Sequence, residues 1–188
     1  MPYLHSIKPI LLLMLGCLLY QCSYDEKWQT ATTKTSDQSR SFSLTMPPYM
    51  EAEAARKLNP AAQLQYCNYY RNVYAVVLDE AKSKSNDSTL QQYADRYLND
   101  MVKTLIKPQR IDSAAIELAN MKGLTITLTG DLGQLKDLRE RIYYRLAFVE
   151  SPTHYYQVAT WTWDSRRKNF AADLDSILYS FKEIDWYY

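Results

Sequence analysis

The sequence has little glycine, histidine and cysteine, and neither charge sign is in excess. Four glycines in 188 residues are too few for the glycine-rich loops that bind phosphate groups. Two histidines and three cysteines supply too few ligands for most zinc sites. Lys and Arg number 22 against 21 for Asp and Glu, whereas nucleic-acid-binding domains carry a basic patch. We therefore expect no cofactor, no metal ion and no nucleic-acid partner.

The composition instead predicts one folded domain with some additional chain. Hydrophobic residues make up 47% and charged residues 23% of the sequence, which excludes global disorder. A domain of ~150 residues can bury a self-sufficient core. The unusual count is 17 tyrosines, which directs attention to aromatic surfaces.

The amino-terminal segment predicts an exported protein. His5 and Lys8 precede an apolar run from Ile10 to Tyr20. This run is too short for a transmembrane helix, which needs ~20 apolar residues, and it has the length of the apolar part of a signal peptide. A buried helix is the alternative, but the run lacks a polar face.

Two cysteines near the end of this run resemble the acylated cysteine of bacterial lipoproteins. Cys22 ends the apolar run and is followed by a polar residue, and Cys17 is the alternative site. The resemblance implies a lipoprotein signal peptide at residues 1–21 and a lipid anchor in the cell envelope, with the outer membrane as the expected location. The acidic residues after Cys22 resemble a surface-export signal. Without acylation, Cys22 is an incidental thiol or a disulfide partner for Cys67.

The residues after Cys22 lack the periodicity of a helix or strand. Residues 22–40 are polar and rich in Thr and Ser, which predicts a flexible tether that the fold does not need. No later glycine- or proline-rich break appears, so we expect a single domain at residues 41–188.

Hydrophobic patterns within this domain predict an α+β fold, in which an antiparallel β-sheet is flanked by helices. The predicted helices cover residues 49–58, residues 90–105 and a closing segment that begins near Asp164, with Pro108 ending the second. The buried face of the closing helix comprises Phe170, Leu174, Ile177, Leu178 and Phe181. The predicted strands are residues 41–46, 63–69, 72–79, 113–121, 122–129, 141–150 and 154–163.

Four segments resemble the PsbP-like superfamily, which includes the Ran-binding Mog proteins. They are a strand that runs into prolines (residues 42–48), a tyrosine-rich hairpin (58–80), a second hairpin (145–162) and the closing helix (177–183). The resemblance implies an α/β/α sandwich and a non-enzymatic binding or accessory role. It supplies no functional residues, because no motif of the photosystem or Ran-binding members is present.

An enzyme is the alternative, and its only plausible centre is Glu150 with His154. If Asp79 or Glu80 joined them, these groups could act in acid–base chemistry or bind a metal ion. The plainer expectation is that His154 is a solvated turn residue and that the carboxylates are strand-end charges facing water. Cys67 is expected to be a small buried side chain and not a nucleophile.

Aromatic side chains give the better indication of function. Tyr155, Trp161 and Trp163 occupy alternate positions of one strand, so they share a sheet face. If exposed, this face could bind an envelope protein or a glycan; if a helix covers it, the rings belong to the core. Residues 186–188 add three aromatics past the closing helix. The sequence thus favours a membrane-anchored, non-catalytic lipoprotein with a binding or assembly role over an envelope hydrolase or metal-dependent enzyme.

Overall fold

The computed structural model describes residues 27–53, 58–132 and 140–184. Its strands are β1 Gln29–Lys34, β2 Ser41–Met46, β3 Glu51–Ala52, β4 Leu64–Asn68, β5 Val73–Ala81, β6 Leu105–Leu118, β7 Met121–Leu132, β8 Arg141–Glu150, β9 His154–Trp163 and β10 Lys182–Ile184. Its helices are α1 Leu90–Thr104 and α2 Arg167–Tyr179, and a 3-10 turn, Asp164–Arg166, precedes α2.

These strands form two antiparallel sheets. The larger has the order β3-β4-β5-β9-β8-β7-β6, and the smaller has the order β1-β2-β10. The predicted hairpin of residues 141–150 and 154–163 is confirmed at the bounds of β8 and β9. The nearly all-apolar β5 lies inside the larger sheet, between β4 and β9, as a strand buried on both faces should. The prediction of an α+β fold is confirmed.

Two layers cover the larger sheet on opposite faces. Its α2 face packs on α2 and the smaller sheet, around Phe42, Tyr156 and Phe181. Its α1 face packs on α1, around Tyr93, Phe148 and Tyr155. Successive residues of a strand point to opposite faces, so neighbours such as Tyr155 and Tyr156 belong to different cores.

The closing helix is confirmed. Leu174, Ile177 and Leu178 are fully buried on the α2 face, while Phe170 at the start of the helix is half-buried. Phe181 lies two residues past the helix and is also buried, with its ring centroid 5.0 Å from that of Tyr156.

The first helix begins at Leu90, as the sequence indicates, and ends at Thr104, before Pro108. The hydroxyl of Thr89 accepts the N–H of Gln92 at 3.2 Å, and the Gln92 side chain accepts the N–H of Ser88 at 2.9 Å. This is a capping box shifted by one residue on one side, because Ser88 precedes the N-cap residue Thr89. Strand β6 starts directly after Thr104, so Pro108 lies in a strand. The register shifts next to it, between Ile106 and Gln109; an edge strand with a bulge tolerates the missing N–H.

The predicted helix at residues 49–58 is wrong over its described part. Met50 closes a turn by donating its N–H to the Pro47 carbonyl at 3.0 Å. Glu51 and Ala52 then pair with β4 as a short edge strand. Pairing with an open sheet edge overrides the helix propensity of this Ala- and Glu-rich stretch. Residues 54–57 lie outside the described residues.

The predicted tether is also wrong over residues 29–40. Strand β1 pairs with all six residues of β2, from Gln29 opposite Met46 to Lys34 opposite Ser41. Residues 35–40 form the turn between them, closed by the Thr35 N–H donating to the Arg40 carbonyl at 2.9 Å. The polar composition reflects an edge strand with one face towards water, because threonine is favoured in strands.

The larger sheet has a proximal end and a distal end. The proximal end is where β1 begins, and it contains Met46, the turn Tyr69–Asn72 and Trp163. The distal end contains the turn Thr35–Arg40, the end of β5 at Ala81 and the turn Ser151–His154. The β1–β2 hairpin therefore runs from the proximal end, where Asn68 of β4 donates to the carbonyl of Tyr49 just after β2, to the distal end, where Asp37 contacts His154.

Candidate functional site: an aromatic row on the α1 face

The proposed enzyme centre is divided by the larger sheet. Glu150 and Glu80 both lie in register with Tyr155, on the α1 face. His154 and Asp79 lie on the α2 face, where Tyr156 pairs with Asp79. The structure therefore does not bring Glu150 and His154 together, and the alternative of a catalytic centre built on both residues has no geometric basis.

The carboxylates on the α1 face are held in ion pairs. Lys82 Nζ lies 2.6 Å from Glu150 Oε1. Arg96 Nη2 lies 2.7 Å from both Glu80 and Asp87. Burial lowers the pKa of Arg96, but its hydrogen bonds to these two carboxylates outweigh that effect and raise the pKa above its usual value. Glu80 and Glu150 are thus largely shielded, and not simply solvated strand ends.

The prediction of a solvated His154 is wrong, because the β1–β2 turn covers it. The residue is 2% exposed. Its Nδ1 lies 2.9 Å from the Thr153 hydroxyl, and its Nε2 lies 3.3 Å from Asp37 Oδ2. The latter atoms are close enough for an electrostatic contact but are not aligned as a hydrogen bond. No pattern in the sequence indicates this contact, because the composition of residues 22–40 predicts a tether.

The same turn is fixed at Asp79. The carboxylate accepts the N–H of Ser36 at 2.9 and 3.0 Å and its hydroxyl at 2.7 Å. Asp37 accepts the N–H of Ser39 at 3.0 Å and the Thr35 hydroxyl at 2.8 Å. Desolvation raises the pKa of Asp37, but these hydrogen bonds and the charge of His154 lower it well below the usual range. Asp79 and His154 therefore anchor the amino-terminal hairpin.

The described residues hold no cluster of three or more His, Cys, Asp or Glu side chains suited to a metal ion. Neither helix has the length and hydropathy of a membrane-spanning segment within the part of the chain that the structure describes. Cys17, Cys22 and residues 186–188 lie outside the described residues, so the structure does not bear on the acylation site or on the last aromatics.

The three predicted aromatic residues share the α1 face but differ in exposure. Tyr155 is 1% exposed. Its ring stacks on Tyr93 of α1, with a centroid distance of 4.7 Å and an interplanar angle of 20°, so it belongs to the core. Trp161 and Trp163 lie further along β9, and both are half-buried. Helix α1 thus covers one part of this face and leaves the part near the proximal end with half-exposed rings.

The half-exposed rings form a continuous row across the three strands β5, β9 and β8, next to Cys67 of β4. Cys67 of β4, Tyr74 of β5, Trp161 of β9 and Tyr144 of β8 are successive register partners. Trp161 stacks on Tyr74, with centroids 5.2 Å apart and planes at 14°, and contacts Tyr144 at 5.8 Å. We call Tyr69, Tyr74, Trp161 and Tyr144 the aromatic row, because Tyr69 meets Tyr74 edge-on at 5.9 Å.

Polar groups along the row remain protonated. Burial raises the pKa of Tyr144 to about 12 and also raises the pKa of Tyr74. Tyr69 donates its hydroxyl to Glu53, and this hydrogen bond raises its pKa above the usual range. Burial raises the pKa of Cys67, so this thiol lacks the low pKa of a nucleophile. The row therefore offers apolar ring edges and hydroxyl groups, and no group activated for catalysis.

The sequence identified Trp161 but did not identify its neighbours as one surface. Tyr69 and Tyr74 stand out only as a tyrosine-rich hairpin, and Tyr144 as part of another. The register between β5 and β9 brings them together, and that pairing joins residues 87 positions apart in the chain (Tyr74 and Trp161). An alternating pattern shows which residues share a face of one strand, but not which strands are neighbours.

No protein-family profile matches the sequence, and no curated protein matches it. Solved structures show similarity of fold. Cyanobacterial PsbP (CyanoP) from Synechocystis sp. PCC 6803 is 11% identical with a TM-score of 0.56, covering 82% of this chain and 92% of that protein. LpqN, "involved in cell envelope biogenesis of Mycobacterium tuberculosis", is 12% identical with a TM-score of 0.59, covering 86% and 94%.

The Ran-binding protein Mog1p from Saccharomyces cerevisiae is similar to the same extent. It is 11% identical with a TM-score of 0.55, and the match covers 83% of this chain and 96% of Mog1p. Identities this low show the fold and leave function to the chain's own residues. The chain therefore shares the α+β fold of CyanoP, LpqN and Mog1p, and the fold expected from the resemblance to PsbP-like proteins is confirmed.

Proposed function

We propose that the mature protein is a non-catalytic lipoprotein of the bacterial cell envelope, anchored by acylation of Cys22 (alternatively Cys17), with the outer membrane as its location. The apolar run that ends at these cysteines supports the anchor. The separation of Glu150 from His154 by the sheet argues against the catalytic alternative. LpqN, which shares the fold, is described as involved in cell envelope biogenesis, and this supports the compartment.

The aromatic row is the observation that carries a binding role. Trp and Tyr are enriched in the cores of protein interfaces, and four such rings lie together on a sheet face where Trp161, Tyr74 and Tyr144 are half-buried. Helix α1 covers the other part of this face. The row is therefore the surface on which we place a partner.

The arrangement of the rings favours a protein partner over a glycan. Sugars stack on the faces of aromatic rings, but Trp161 and Tyr74 stack on each other, and each has a further ring nearby, Tyr144 at 5.8 Å or Tyr69 at 5.9 Å. The edges that remain, together with tyrosine hydroxyls, suit apolar side chains and backbone carbonyls. We therefore assign the row to assembly with another envelope protein.

Metabolic labelling with palmitate tests the anchor. Single Cys17→Ser and Cys22→Ser variants and the double variant are produced from the full-length chain. We expect Cys22→Ser alone to remove the label and release the protein from the membrane fraction, because a multiply acylated cysteine anchors firmly. A double variant that stays in the membrane fraction would contradict the lipoprotein assignment.

Co-purification from detergent-solubilised envelopes tests the row. Trp161→Leu keeps an apolar residue in the sheet but removes the central ring, and Tyr179→Ala removes an exposed tyrosine (47% exposed) on α2 as the control. We expect Trp161→Leu, with an unchanged melting temperature, to lose a partner protein that Tyr179→Ala retains. Binding to purified peptidoglycan that Trp161→Leu abolishes would instead favour a glycan ligand, and identical partners in all three proteins would exclude the row as the contact.

A further inference from the structure

We propose that the proximal end of the domain rests on the surface of the membrane that carries the lipid anchor, so that the exposed aromatic rings of that end enter the headgroup region. The inference rests on the proposed acylation of Cys22. This surface meets the aromatic row at Tyr69, while Tyr74, Trp161 and Tyr144 lie on the flank of the sheet.

The place where the chain joins the domain fixes which end faces the membrane. Strand β1 begins at Gln29, opposite Met46, at the proximal end. Gln29 lies seven residues after Cys22, and seven residues reach at most ~25 Å when fully extended. A strand of ten residues such as β9 spans ~33 Å. The connecting chain is therefore too short for the distal end to turn towards the bilayer.

Exposed apolar side chains are concentrated at the same end. Of the seven large hydrophobic residues exposed in the described chain, five lie at the ends of strands or helices that meet there. Tyr70 is 88% exposed, Tyr69 is 54% exposed and Trp28 is 41% exposed. The other two are Val102 in the last turn of α1 and Ile106 at the start of β6.

This set of side chains matches the chemistry of a membrane–water interface. Tyr and Trp are enriched at the headgroup level because their rings combine apolar and polar parts. Cationic side chains lie near these rings. Arg71, which is in the same turn as Tyr70, lies 4.3 Å from the ring centroid of Tyr49. Exposed Lys27 and Lys168 lie at the start of the described chain and of α2.

These cations suit the phosphate groups of ordinary phospholipids. Asp164 and Glu140 lie at the same end, so the surface is mixed in charge and does not select anionic lipids by a strong positive field. The apolar rings and the covalent anchor supply the orientation, and individual Lys and Arg side chains reach the headgroups.

Depth-dependent fluorescence quenching tests the orientation. The acylated full-length protein is reconstituted into phosphatidylcholine vesicles whose upper acyl chains carry bromine. Tyr70→Cys and Ser165→Cys place a fluorophore at exposed positions of the proximal end, and Lys84→Cys places it at an exposed position of the distal end. Cys67 is buried, and labelling of the parent protein measures any background from it.

We expect roughly a twofold loss of fluorescence at positions 70 and 165 and none at position 84, because interfacial aromatics lie at the headgroup level. Absence of quenching at all three positions, with the acyl group present, would overturn the inference and leave the lipid anchor intact. Stronger quenching at position 84 would overturn it by reversing the orientation. Absence of the acyl group would reject the proposed function and the inference together.

Discussion

The distal and proximal ends of the larger sheet use their side chains in opposite ways. At the distal end, Asp79 receives three hydrogen bonds from Ser36, and Asp37 contacts buried His154. At the proximal end, Tyr70 and Trp28 are exposed. Groups that form intramolecular contacts stabilise the fold, whereas exposed aromatic rings are available to a surface outside it. The distal end therefore contributes to the stability of the fold, and the proximal end carries the surface for which we propose membrane contact.

The largest expected effect comes from the core that both ends share. Phe181 is 1% exposed and contacts the rings of Phe42 and Tyr156 at 5.8 and 5.0 Å. We expect Phe181→Ala to reduce the free energy of unfolding by about 3–5 kcal/mol, because it leaves a cavity among these rings. Denaturant unfolding measures this, with Lys182→Ala as the exposed control. If Phe181→Ala unfolds at the same denaturant concentration as the wild type, the segment at the end of α2 does not pack against the core.

Two deletions, one contained in the other, distinguish the contribution of the connecting chain to stability from that of the hairpin that reaches the distal end. Removal of residues 23–34 takes away β1, with its six pairs to β2 and the packing of Ala31. We expect the melting temperature to fall by several degrees, since ~1 kcal/mol corresponds to roughly 2–4 °C in a domain of this size. Removal of residues 23–28 should leave it unchanged. Equal melting temperatures for both deletions would show that β1 does not contribute to stability and that residues 22–40 act as a tether.

The distal contacts should also make stability depend on acidity. The pKa of Asp37 in the folded chain lies below its ordinary value of 3.8, so its ionised form stabilises the fold at neutral pH. This contribution is complete above the ordinary pKa and is lost as the pH falls through it towards the lower, folded value. We expect Asp37→Asn to be less stable than wild type at pH 7 and to lose less stability on acidification.

Asp100→Asn is the matched control for that measurement. Asp100 is an exposed carboxylate on α1, with its side chain 71% accessible and paired with Lys103 in the same helix. Its replacement should not change the difference in stability between neutral and acidic pH, because exposed pairs contribute little. If Asp37→Asn and Asp100→Asn show the same acid sensitivity, the Asp37 contacts do not contribute.

The sequence predicted regular, strongly patterned elements well. The hairpin of β8 and β9 and the apolar stripe of α2 follow from alternation and from 3.6-residue spacing, which depend on local chain geometry. It failed at β1 and at β3, whose structure depends on pairing with distant strands. A polar, threonine-rich edge strand and a tether have similar compositions, and only the presence of β2 distinguishes them.

The same limit applied to the candidate site. Trp161 and Trp163 could be placed on one face from their spacing alone, but coverage of Tyr155 by Tyr93 depends on how α1 lies over the sheet. The burial of His154 depends on Asp37, which is 117 residues earlier in the chain. Contacts between segments this far apart leave no local pattern in a single sequence.

The smallest expected effect on stability is at the tip of the proximal end. Tyr70 is 88% exposed, so Tyr70→Ser removes almost no buried surface, and we expect the free energy of unfolding to change by less than about 0.5 kcal/mol. In acylated protein on vesicles, however, the substitution should reduce the quenching of a fluorophore at position 165, because it removes an apolar ring from the membrane-facing end. Urea unfolding and the quenching assay give the two readouts on the same protein. A loss of stability above 1 kcal/mol would show that Tyr70 packs against the domain, and the proximal end would then resemble the distal one.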